Sequence, residues 1–313
     1  MTTQVKINQK PASTAIEKSI NIWWRLLRPH TLTASFVPVA IGTVLSLPYE
    51  QFRIYPFAAM LLLSLLTQAA TNMLNEYFDF KRGLDHENSI GIGGTIVRDG
   101  IAPKTVLMIA QLSLGAAFLL GLYLCIQSSW WLLPVGLFCA SVAYFYSGGP
   151  YPLSATPLGE LASGICMGGI IIGTSFFIQT GTLTLECILM SIPTSILIGA
   201  ILMANNIRDL DGDKEHGRKT LAILLGRKSA TMLLAAMFIL SYAWIVFLVI
   251  IKTTSPWALL SFASIFKAFQ AVKGFQAYST PVMLMPAMIA TAQTNTLYGL
   301  LLSLGILIQY LVS

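Results

Sequence analysis

Nine stretches of this chain stay apolar for about the 20 residues that a helix needs to cross the hydrocarbon layer of a bilayer. They run approximately over 32–48, 54–78, 104–127, 130–147, 157–179, 185–207, 229–252, 256–272 and 296–312. The eighth is short. The stretch 281–294 before the last is apolar but holds Pro281 and Pro286, which suits a partial or interfacial helix. Little charge is left to cover a water-exposed surface. Only 10% of the 313 residues are charged and 55% are apolar, whereas a soluble domain carries roughly 25% charged residues. A soluble globular protein, a disordered chain and a disulfide scaffold are all excluded. The expected fold is a single all-α polytopic membrane domain over 1–313.

Charge then sets orientation. The net charge is +6, which in a soluble protein would suggest nucleic acid. No nucleic-acid motif is present, and no nucleic-acid partner is expected. With a cytoplasmic N-terminus, only Arg53 and Lys252 among the 19 Lys and Arg fall outside, as the positive-inside rule requires. Residues 1–30 lack the short apolar core and cleavage site of a signal peptide. Within them, 18–30 set Trp23, Trp24, Leu26 and Leu27 among Lys18, Arg25 and Arg28. That pattern predicts an interfacial segment against the lipid. Cys125, Cys139, Cys166 and Cys187 lie in apolar runs without CxxC spacing and are expected to pack as small hydrophobes. Two cytoplasmic loops are long, 79–103 and 208–228, and long loops tend to be functional.

The acids gather in these two places. Glu76, Asp79, Asp85, Glu87 and Asp99 belong to the end of the second helix and its loop; Asp209, Asp211, Asp213 and Glu215 belong to the end of the sixth. Asn72, Asn75 and Asp79 are spaced i, i+3, i+7 and share one helix face. Asn206, Asp209 and Asp213 repeat the spacing. Amides and acids at membrane depth are costly unless they face a polar cavity or a metal, and helix C-termini favour cations. Two oxygen-rich clusters facing each other would hold a hard divalent cation, Mg²⁺ rather than zinc. His30, His86 and His216 are isolated and read as ordinary loop or interfacial residues. Lys81, Arg82 and Arg98 interleave with the first acids, and Arg208, Lys214, Arg218 and Lys219 with the second. Acids, metal and bases together suit a diphosphate. Gly91–Thr95 could bring backbone N–H groups to a phosphate, or be a flexible loop.

Asn75-Glu76-Tyr77-Phe78-Asp79 with Lys81-Arg82-Gly83-Leu84-Asp85 resembles the first Asp-rich motif of UbiA-type intramembrane prenyltransferases. Asn206-Ile207-Arg208-Asp209-Leu210-Asp211-Gly212-Asp213, then Gly217-Arg218-Lys219-Thr220-Leu221-Ala222, resembles the second. The resemblance covers nearly the whole chain, from Leu27-Arg28-Pro29-His30-Thr31 to the final helix. Within the superfamily it points to the 1,4-dihydroxy-2-naphthoate branch of menaquinone biosynthesis. The carriers are the five residues between the first motif's aspartates, the loop Tyr146-Ser147-Gly148-Gly149-Pro150-Tyr151-Pro152-Leu153 with Leu158-Gly159-Glu160, and the run from the second motif into Gly-x-Lys-Thr-Leu-Ala. Glu76 stands where the family more often has Asp.

The resemblance implies a ring of about nine helices around a central cavity, capped by the Asp loops and open sideways to lipid. It implies Mg²⁺-dependent transfer of a polyprenyl group from its diphosphate to an aromatic acceptor at the cytoplasmic membrane, with loss of CO₂ in the naphthoate branch. Asp79, Asp85, Asp209 and Asp213 are then the expected metal carboxylates, supported by Asn75 and Asn206. Lys81, Arg82, Arg98, Arg208 and Lys219 are the diphosphate candidates, and Tyr144, Tyr146 and Tyr151 line the acceptor or the prenyl cation. Two other readings stay open: a UbiA-type enzyme for 4-hydroxybenzoate or homogentisate, and a membrane transporter.

Overall fold

The computed structural model describes residues 22–83 and 95–312, and among them it is helical throughout. Asp85, Glu87 and Gly91–Gly94 of the first Asp loop lie outside the described residues, as does most of the N-terminal segment. The described part of that segment, 22–27, is a short helix. The main helices are α1 (Pro29–Ser46), α2 (Ile54–Lys81), the single turn α3 (Thr95–Arg98), α4 (Pro103–Gln127), α5 (Leu132–Ser147) and α6 (Gly159–Thr180). After them come α7 (Leu185–Glu215), the single turn α8 (Leu221–Leu225), α9 (Arg227–Ile250), α10 (Ile265–Ala277) and α11 (Pro281–Val312). Among the described residues six helices, α2, α4, α6, α7, α9 and α11, are long and apolar enough to cross a membrane, and two apolar ones, in α1 and α5, are shorter. The chain is a multi-pass membrane protein.

Three boundaries differ from the sequence reading. The expected eighth span is a 3₁₀ stretch, Pro256–Ser264, that leads into α10. The apolar run after Pro281 is no separate interfacial helix: Pro281 starts α11, and the helix continues through Pro286 to Val312. The helix carrying the second acid motif runs on to Glu215, so Asp209, Asp211 and Asp213 are helical rather than in a loop.

Proline inside a membrane helix leaves one carbonyl without its partner. In α7 Pro193 cannot donate to Leu189, and the Trp244 indole N–H of α9 donates to the Leu189 carbonyl instead, at 2.9 Å. Close helix contact is made through small residues, as is usual where lipid is the solvent. Gly164 and Gly168, one turn apart in a π-helical stretch of α6, lie against Ser195 of α7; a Cβ on either would come within 2.5 Å of the Ser195 backbone.

Helices α1, α2, α4, α5, α6 and α7 surround a cavity of about 640 Å³. Helices α9 and α11 back it by packing on α7, and α11 also packs on α1. The main apolar core lies on that backing side, around Met203, Ile207, Leu234 and Tyr298. The wall is thinnest between α5 and α6, which scarcely touch although both line the cavity.

Candidate active site

One end of the cavity is polar and the other apolar. Arg28, Thr31, Gln68, Asn72, Asn75, Tyr146 and Asn205 line the first; Met60, Leu124, Leu132 and Ile178 line the second. The polar end lies where α2 and α7 finish, so it is the chain's two acid motifs that cap it.

On α2 the first asparagine is structural. Asn72 is buried and donates to the Leu27 carbonyl at 2.8 Å and to the Thr31 hydroxyl at 3.0 Å, tying α2 to the start of α1. Asn75, one turn on, faces the cavity. Asp79 is mostly buried and takes an ion pair from Arg218 at 2.9 Å. Glu76 points elsewhere. It is fully buried, and its Oε1 accepts from the Thr95 hydroxyl and from the Ile96 N–H at 3.1 Å, so it caps α3 and pins the returning end of the first Asp loop. Among the described residues its Oε2 has no hydrogen bond, and Arg28 lies 3.9 Å from it.

On α7 the pattern repeats with one change. Asn206 is buried and donates to Glu160 of α6 at 2.8 Å, so its side chain is held away from the cavity, while its neighbour Asn205 faces it. Asp213 sits 3.2 Å from Arg218. Asp209 is gripped by the adjacent Arg208 at 2.7 and 2.5 Å. Arg208 is itself buried, with its remaining nitrogen 2.8 Å from the Met288 sulfur of α11. Asp211 faces outward and pairs with Arg227.

Arg218 thus joins the two motifs, and the local sequence places it. Helix α7 ends in a Schellman motif: the Gly217 N–H bonds back to Lys214 and the Arg218 N–H to Asp213, at 3.1 and 3.0 Å, with Gly217 at φ +73°. Only the left-handed turn at Gly217 sends the next side chain back across the helix end. Burial works against the charge on Arg218, but Asp213, Asp79 and Asp209 outweigh it and push its pKa above the ordinary value.

Of the other sequence candidates, Tyr146 lines the cavity and Tyr144 and Tyr151 do not; both are exposed, Tyr144 edge-on to Phe78. Lys81 and Arg98 are exposed. Arg82 is spent on the Gly149 carbonyl at 3.0 Å, tying the end of α2 to the loop after α5. Lys219 is exposed, and its backbone N–H holds Ala155 at 2.9 Å. Three residues at or next to the site were missed by spacing alone, Arg28, Glu160 and Asn205, and Arg218 was read only as one of the bases among the second acids. Arg28 carried a signal in hindsight, a basic residue before Pro29 where the chain enters the bilayer. It adopts φ 50°, a left-handed conformation that a non-glycine residue holds only when its surroundings force it. Glu160 keeps one buried carboxylate oxygen without a partner.

The UbiA prenyltransferase family profile matches residues 35–281. The chain belongs to the UbiA prenyltransferase family. It is 53% identical over 305 residues, 97% of its length and 98% of the relative's, to the 1,4-dihydroxy-2-naphthoate octaprenyltransferase of Bacillus subtilis strain 168. It is 29% identical to the human UbiA prenyltransferase domain-containing protein 1, over 90% of this chain and 82% of that one. Two solved family structures share its fold. One is the apo UbiA homologue of Aeropyrum pernix K1, with TM-score 0.66, 17% identity, and 90% and 98% of the two chains covered. The other is the Archaeoglobus fulgidus homologue bound to GPP and Mg²⁺, with TM-score 0.59, 18% identity, and 90% and 99% covered.

Proposed function

We propose that this protein transfers a polyprenyl group from a polyprenyl diphosphate to 1,4-dihydroxy-2-naphthoate, with loss of CO₂, giving demethylmenaquinol. The observation that carries the reading is the meeting of Asp79 and Asp213 on one guanidinium at the polar mouth of an otherwise apolar cavity. The full-length similarity to the Bacillus subtilis enzyme supports the acceptor.

The donor types suit Mg²⁺. Every candidate ligand is a carboxylate or amide oxygen, and the space between the two helix ends already takes a positive group, while among the described residues no three acids are yet gathered as a metal site. Asp79, Asp209 and Asp213 would hold the ion, with Asn75 and Asn205 beside them; Asp85 of the same motif lies outside the described residues. A cation held there would supply positive charge against the charge that builds on the departing diphosphate.

The chain's own residues do the rest. Arg28 and Arg218 provide positive charge at the diphosphate end, and their guanidinium forks suit phosphate oxygens. Lys81, Arg82, Arg98 and Lys219, exposed in or beside the two motifs, would add to the field that draws the donor in. The allylic C–O bond breaks, the electron-rich ring attacks the prenyl carbon, and the ring carboxyl leaves as CO₂. Tyr146 gives the developing cation an aromatic wall, and the apolar end of the cavity keeps water from it.

The deciding assay uses purified protein, Mg²⁺, a polyprenyl diphosphate and a panel of aromatic acids, with product masses measured. The expected product has lost one carboxyl group. Better turnover of 4-hydroxybenzoate or homogentisate would overturn the acceptor. The basic-residue distribution supports a cytoplasmic side for the N-terminus and both Asp motifs. A cysteine at Lys214 in a cysteine-free background should resist an impermeant thiol reagent in intact cells and react in inverted vesicles; labelling from outside would reverse the topology.

A further inference from the structure

We infer that Arg218 is an internal counter-ion: it neutralises Asp79 and Asp213 in the substrate-free protein and trades these carboxylates for the diphosphate when a divalent cation enters. The inference rests on the reading that these two aspartates hold the cation. It goes further by assigning one residue two successive partners.

Three observations carry it. First, the guanidinium spans the two motifs with a separate nitrogen to each, 2.9 Å to Asp79 and 3.2 Å to Asp213. All three side chains are mostly buried, with 14–16% of each exposed. Two carboxylates this close to one another and this poorly solvated repel strongly unless a cation lies between them. Second, Arg218 lies past the end of α7, as the first residue beyond the Schellman turn at Gly217, so a change of partner by its side chain leaves the helix itself intact. Asp209 contrasts with this, since its arginine is wedged against Met285 and Met288. Third, Arg218 stands close to Tyr146, which lines the polar end of the cavity, and to Asp209. A guanidinium displaced from the carboxylates has a diphosphate to move to, and its fork fits phosphate as well as carboxylate.

The consequence is an exchange of partners in which the cation takes the carboxylates and the diphosphate takes Arg218. A divalent cation alone competes with Arg218 for the same oxygens. A cation arriving with diphosphate does not, because the anion gives Arg218 a new partner. Cation binding without diphosphate is therefore weak, and the two substrates of the site load together.

The test measures Mn²⁺ binding to purified protein without diphosphate, read as loss of the free Mn²⁺ electron paramagnetic resonance signal. R218Q should bind Mn²⁺ at least tenfold more tightly than the wild type, while its KM for the prenyl diphosphate rises at least tenfold. R218K keeps the charge but not the fork and should gain at least threefold. It carries the test alone if R218Q does not purify as a folded protein. Unchanged or weaker Mn²⁺ binding in these variants overturns the counter-ion. If D79N/D213N abolishes Mn²⁺ binding at the same time, the assignment of the cation site stands without it. If R218Q/D79N/D213N binds Mn²⁺ as tightly as R218Q, the cation lies elsewhere, and both readings fall.

Discussion

The ends of α2 and α7 look like copies in sequence, yet the folded chain uses them alike at two positions and differently at one. The first amide of each, Asn72 and Asn206, is buried and ties its helix to a neighbour. The last acid of each, Asp79 and Asp213, meets Arg218. Between them, α2 places Asn75 facing the cavity, whereas α7 places Asp209 bound to a buried arginine. One end thus leaves its middle position an uncharged amide open to the cavity, and the other carries there a charge already clamped from the backing side. The lesson is that an acid in a motif is worth what its partners leave free.

That difference can be broken by mutation. The largest effects belong to the shared position: Asp79→Ala and Asp213→Ala should each lower kcat by about a hundredfold or more, the scale for removing a preorganised electrostatic group. Size-exclusion profiles should stay monodisperse. Near-normal turnover in either would end the pairing of the two ends. Asp209→Asn should cost less, about tenfold or 1.4 kcal/mol, because Arg208 already draws on its charge. Equal losses at Asp209 and Asp213 would mean that the clamp has no bearing on activity. Glu76→Ala should act on the fold before the chemistry. It frees the Thr95 and Ile96 donors and is expected to cost about 1–3 kcal/mol of stability, read as a lower melting temperature at saturating substrate. Smallest is Asp211→Asn. Its partner Arg227 is met at the surface, where an ion pair contributes about 0–1 kcal/mol, so turnover should stay within about twofold. A large loss there would place Asp211 inside the site.

The sequence made the architecture readable because lipid imposes one rule on every helix, a long apolar run. The two acid clusters were readable for the same reason, since charge at the end of such a run stands out. Phase was harder. Asn205 and Asn206 are adjacent; with 3.6 residues per turn, either can share a face with Asp209 and Asp213. Only the carboxylate of Glu160, from another helix, shows which one is taken. Tyr144, Tyr146 and Tyr151 posed the same difficulty, and a single one reaches the cavity because α5 turns the other two outward or ends before them. The bases were least readable. Long flexible side chains reach several partners, and Arg82 and Arg208 settle on a carbonyl and on an aspartate with methionine sulfur.

The slight contact between α5 and α6 bears on how a substrate finds this protein. An opening there would be closed by whatever lipid lies beside it, and the cavity would then be continuous with the bilayer interior. A donor whose tail is dissolved in that layer searches for the site in a plane rather than in a volume, with its headgroup already held at the depth of the acidic helix ends. Any part of the tail that the cavity does not hold can remain in the oil it came from.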